Sequence, residues 1–152
     1  MPAPDRRERL GPFPPSRRRR AAKTRAGLRR LRLFRIILPV SDIEAAARFY
    51  AGLLEDPGRR VWSNRHYFDC GGTIVACVEP AGDRDEAFRP NPEHIYFSVD
   101  DVDAARERAA GAGAVELSEV AVQSWGERSF YARDPFGNPI CFVDSGTLFT
   151  GE

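Results

Sequence analysis

The stretch FRIILPVSDIEAAARFYAGLL (residues 34–54) changes its hydrophobic period halfway along. Residues 34–40 are apolar and β-branched, which reads as a strand. Ser41 or Asp42 then offers an N-cap, with Glu44 in the first turn. From there Ile43, Ala46, Ala47, Tyr50 and Leu54 recur at helical spacing, and Asp56, Pro57 and Gly58 end the helix. Further on, residues 59–69 read as two short strands turning at Ser63–Asn64. Gly71–Gly72 makes a hairpin turn, and residues 73–79 form one more strand. The order is β-α-β-β-β.

The same order recurs. Residues 94–99 (HIYFSV) read as a strand, Asp100 or Asp101 caps a helix over 102–110, and Gly111 and Gly113 stop it. Residues 114–124, 127–133 and 139–144 follow as strands, with a tight turn at Asp134–Asn138 between the last two. Sliding the first unit by 59 positions gives seven identities in the 18 positions from 35 to 52, Asp42 on Asp101 among them. A slide of 65 places Asp69 on Asp134 and Gly72 on Gly137. Two modules of this kind each leave a sheet face that needs a partner to bury it. The fold class is therefore α+β. The boundaries are a basic arm at 1–32, a two-module domain at 33–146 (modules about 33–80 and 93–146) and a tail at 147–152.

Charge separates the arm from the domain. The formal net charge of +1 hides 12 basic against two acidic side chains in residues 1–32, and 11 basic against 20 acidic in the rest. Five prolines and the run Arg17–Arg20 predict disorder over residues 1–20, and 21–32 admits one or two basic helical turns. Such an arm is read either as a solvated extension or as a nucleic-acid contact. No apolar run approaches the roughly 20 residues of a membrane span. Cys70, Cys77 and Cys141 show no C-x-x-C pair, which points to three reduced thiols in a cytoplasmic protein rather than a disulfide framework.

Three stretches, LPVSDIEAAARFYAGLL (38–54), HIYFSVDDVDAA (94–105) and WGERSFYARDPFGNPICFVD (125–144), resemble the vicinal oxygen chelate superfamily. That superfamily comprises glyoxalases, bleomycin-resistance proteins and extradiol dioxygenases. The resemblance implies two curled mixed sheets, each with one helix, forming half-barrels around a pocket, often across a homodimer. In the superfamily's enzymes a divalent metal sits there, held from the module corners. Those corners correspond to Arg35, Ala76, His94 and Cys141 in this sequence. Arginine is permanently protonated and alanine has no donor atom, so the corners supply two ligands where a catalytic metal normally has three. His66 or Glu79 would have to supply a third.

The expectation is accordingly a metal-independent small-molecule-binding protein with no cofactor, and binding rather than an enzyme's turnover. Its ligand is an aromatic or hydrophobic molecule with an anionic or acceptor group that Arg35 pairs. Alternation along the strands groups Arg35 with Ile37, and His94 with Tyr96, around Cys141. Trp62, His66, Trp125 and Phe130 are candidates for aromatic lining. Each also has a plain structural reading, as a packing or surface residue. The alternative function is a metal-dependent lyase, isomerase or dioxygenase that uses His94 with atypical ligands.

Overall fold

The computed structural model describes residues 31–80 and 88–151. Met1–Arg32 and Leu33–Glu152 form separate units, and the strands and helices of the described residues belong to the second. The expectations for the arm lie outside the described residues, apart from positions 31 and 32.

The first module comprises β1 (Arg35–Pro39), α1 (Ile43–Leu54), β2 (Arg59–Trp62), β3 (Arg65–Cys70) and β4 (Thr73–Val78). The second comprises β5 (Ile95–Val99), α2 (Val102–Ala112), β6 (Ala121–Val122), β7 (Arg128–Arg133) and β8 (Pro139–Asp144). Each module forms a four-stranded mixed sheet, in the orders β1-β4-β3-β2 and β5-β8-β7-β6. The opening strand lies parallel to the closing strand in both, because the helix carries the chain back across the sheet. The sheets are not closed into a barrel.

Local chemistry sets the helix ends. Asp42 and Asp101 are the N-caps, their carboxylates accepting from the Ala45 and Ala104 amides at 3.0 and 2.9 Å. Glu55 in the left-handed region closes α1, and Gly113 does the same for α2, which runs through Gly111 to Ala112. Gly58 has φ +61°, and a Cβ there would lie 2.6 Å from the Phe68 ring, so no other residue fits this turn. The expected strand over 114–124 is reduced to the two residues of β6 and a bridge from Val115 to Arg133. Glu116 takes a positive φ of 52°, and the Ser118 hydroxyl accepts the Tyr131 amide in place of a strand carbonyl. Both interrupt a regular ladder.

Both helices face one core, in which Phe97, Phe142 and Phe130 stack with centroids 5.0 and 5.3 Å apart. The buried face of α1 is Ile43, Ala46, Phe49, Tyr50 and Leu53. This replaces Ala47 and Leu54 in the expected set. α1 and α2 pack together, with Arg108 donating to the Leu53 carbonyl.

The modules are further joined by a buried polar cluster. Asp134 is fully buried, and its Oδ1 accepts the Phe136 and Asn138 amides at 2.9 and 2.8 Å. Its Oδ2 accepts Tyr50 Oη at 2.6 Å and Asn138 Nδ2 at 2.8 Å. Asn138 also donates to the Pro39 carbonyl and accepts the Asn91 amide. The Asp134–Asn138 turn thus ties the second module's last hairpin to β1 and α1 of the first. Tyr50→Phe leaves Asp134 one donor short and is expected to cost about 1–3 kcal/mol in urea unfolding. Asp134→Ala orphans three kinds of donor, and its loss should be the larger of the two.

Candidate functional site

Each sheet has a helix-facing side and an open side. Ile36 and Leu38 of β1 pack into the core, so Arg35, Ile37 and Pro39 belong to the open side. The Arg35 guanidinium lies 4.9 Å from the Phe34 ring centroid and 5.3 Å from that of Tyr67. Tyr67 and Ile37 both stand opposite Ala76, which is fully buried in the floor of this face. Trp62 is half exposed, and Arg65 stacks over it at 5.6 Å.

On the second sheet, Tyr96 and Tyr131 stand on either side of Cys141 in one row across three strands. His94 meets the Tyr131 ring edge-on at 5.1 Å and the Tyr96 ring at 6.1 Å. Trp125 donates its Nε1 to Glu127 at 2.8 Å. The structure brings His94, Tyr96 and Cys141 together, and adds Tyr131, Ser129 and Glu127. On the first sheet it brings Arg35 to Tyr67. Among the described residues, no hydrogen bond, ion pair or ring contact joins the Arg35 group to the His94 group.

His66 and Phe130 do not join the open side. In β3 the open side carries Arg65, Tyr67 and Asp69, and His66 is turned inward. Its Nδ1 accepts from Arg60 Nε at 3.4 Å, and its Nε2 lies 2.9 Å from the Pro57 carbonyl, so both ring nitrogens are engaged. Phe130 is fully buried in the stack with Phe142. A one-residue step in register moves a side chain to the opposite face, and the two hairpins fix the step that these residues take.

The thiols are held protonated. Burial pushes Cys141 up to about 11, with the Glu127 charge adding to the rise against the pull of the Ser129 hydroxyl. Cys77, on the helix-facing side, is pushed up to about 12 by burial and then by the Asp134 charge. Burial and the neighbouring Cys141 and Tyr96 raise the Tyr131 phenol to about 12. A cavity of about 710 Å³ lies elsewhere. It is walled by Leu53, Phe68 and Val75 of one module and Phe97, Val99 and Phe142 of the other, and of the expected ligand-binding residues only Tyr96 reaches it.

Two open mixed sheets, each with one helix and the strand order described, define the class of fold. The chain belongs to the Glyoxalase/Bleomycin resistance protein/Dioxygenase superfamily, whose sequence profile matches residues 32–142. It is similar in fold to a glyoxalase/bleomycin resistance protein from Albidiferax ferrireducens T118, with a TM-score of 0.62 and 22% identity over 72% of this chain and 96% of that one. A lactoylglutathione lyase from Agrobacterium tumefaciens aligns with a TM-score of 0.55 and 20% identity, over 74% and 92% of the two chains. A protein of unknown function from Agrobacterium tumefaciens str. C58 gives 0.62 and 27%, over 76% and 95%. An uncharacterized protein of Mycobacterium bovis is 43% identical over 69 residues, which is 45% of this chain and 40% of that relative.

The divalent metal used by enzymes of the resembled superfamily does not fit the four corner positions. Arg35 brings a positive charge, Ala76 brings no donor, and Cys141 is a buried thiol held well above neutrality. His94 is left as the one ordinary ligand. Among the described residues, no three His, Cys, Asp or Glu side chains are grouped to hold a metal ion.

The raised thiols predict a pH dependence of stability. In the unfolded chain each thiol ionises near 9, whereas in the folded chain Cys141 and Cys77 hold their protons to about 11 and 12. Above pH 9 the unfolded chain therefore binds fewer protons. The two thiols add no pH dependence below about pH 9, and stability should fall as the pH rises from about 9 towards 12. Urea midpoints measured across that range check this, and Cys77→Ala with Cys141→Ala should flatten the decline.

Proposed function

We propose that the protein is a metal-independent binder of a small aromatic or hydrophobic molecule carrying an anionic or acceptor group. The observation that carries this reading is the state of Arg35. Five other arginines, Arg60, Arg106, Arg108, Arg128 and Arg133, are paired with carboxylates. Arg35 has no carboxylate partner among the described residues and lies against two aromatic rings on an open sheet face. A guanidinium placed in this way offers a fork for a carboxylate or similar group while the Phe34 and Tyr67 rings hold an apolar body. The corner chemistry supports binding without metal.

A homodimer belongs to the same reading. Ile37 and Trp62 on the open face of the first sheet are 44% and 52% exposed, and a second copy would cover such surface. The three unpaired cysteines suit a reducing, cytoplasmic setting.

2-Naphthoate is the probe. We expect saturable binding, weakened about tenfold by Arg35→Met with thermal unfolding unchanged. 2-Naphthalenemethanol, which lacks the charge, should bind the wild type and the variant alike. Equal affinity of 2-naphthoate for both proteins would sink the reading. So would a stoichiometric divalent metal in protein purified without chelator, if its removal by EDTA abolished a measured activity. Sedimentation velocity tests the dimer.

A further inference from the structure

The open face of the second sheet carries a cleft of its own, about 420 Å³, and its chemistry is opposite in sign to that of Arg35. Tyr96, Trp125 and Phe149 form aromatic walls, each about half exposed, and Val143 lies at the base. Glu127 is the acid among them. Its Oε2 accepts Trp125 Nε1 at 2.8 Å and its Oε1 accepts the Phe149 amide at 3.1 Å. These two bonds fix the carboxylate against the rings, and each oxygen keeps a further lone pair free.

No cation among the described residues neutralises it. Glu127 takes part in none of the ion pairs among the described residues. The adjacent Arg128 is turned to Asp103, both of whose oxygens it holds at 2.9–3.0 Å. Glu127 lines the same cleft as Tyr96, which ends the aromatic row. A carboxylate without a counter-ion among the described residues, in a cleft lined by three aromatic side chains, repels anions and attracts a cation that the rings also stabilise. A small hydrated metal ion would leave the aromatic walls unused.

We propose that this cleft binds an organic ammonium ion, primary to quaternary, carried on a flat apolar body. The proposal goes beyond the Arg35 reading and does not rest on it. Leu148 and Phe149, within the segment 147–152 expected to be a tail, form part of the wall.

The test uses full-length protein carrying Trp62→Phe, which leaves Trp125 as the sole tryptophan reporter. Benzyltrimethylammonium should shift Trp125 fluorescence saturably, and the neutral isostere neopentylbenzene should bind at least about tenfold more weakly. Glu127→Gln, which keeps an acceptor for Trp125, should cost about tenfold for the cation and leave the isostere unchanged. Tyr96→Leu should weaken the cation without abolishing the response, and Arg35→Met should have no effect. No saturable shift, equal binding of cation and isostere, or indifference to Glu127→Gln in a protein of unchanged melting temperature each overturns the proposal. Failure of 2-naphthoate to sense Arg35 would leave it standing.

Discussion

The buried carboxylate of Asp134 is the constraint to which the arrangement of the two modules answers. A charge with no solvent access must be met by hydrogen bonds, and here four donors from the turn, from Asn138 and from α1 meet it. Those donors come together only when the last hairpin of the second module sits against the helix and opening strand of the first. Asn138 extends the demand to the Pro39 carbonyl and the Asn91 amide. No buried side-chain nitrogen or oxygen among the described residues lacks a partner, so the cluster is closed. It specifies one geometry between two sheets that would otherwise meet through apolar packing alone.

The repeat makes the cluster's single occurrence informative. Asp69 occupies the place of Asp134 in the first module, yet it is exposed and accepts the Gly72 amide within its own hairpin. The position equivalent to Tyr50 is Ala109, which carries no hydroxyl to donate. Duplicated sequence has thus been kept where it builds secondary structure, in the caps and the opening strands. It has diverged where the copies touch. The open faces have diverged too: one carries a guanidinium stacked on rings, the other a carboxylate framed by them.

Much of this fold was legible because its signals are local. Asp caps, turn glycines and the change of hydrophobic period located both helices and the β1, β4, β5 and β8 strands. The resemblance extended this to the pairing of modules. What failed to show was set at a distance. Ala47 and Phe49 both suit the inward stripe of α1, and only the bulk available beneath the helix selects Phe49. The face taken by β3 and β7 depends on where their hairpins turn, so Tyr67 and Tyr131 were missed while His66 and Phe130 were expected in their place. Glu127 was passed over because a carboxylate in a strand reads as a solvated charge until its neighbours are known. Residues 148 and 149 carry no signal of their own; their place follows from the bond between the Phe149 amide and Glu127.

The bond between Tyr50 and Asp134 spans 84 positions of sequence. A ribosome delivers the chain from its amino end, so β1 and α1 leave the exit tunnel long before the hairpin that completes their contacts. Until then the Tyr50 hydroxyl and the Pro39 carbonyl have only water to bind. The first module must wait, partly docked, until the Asp134–Asn138 turn has been translated, and any interruption short of Asn138 releases a product whose interior is still unsealed.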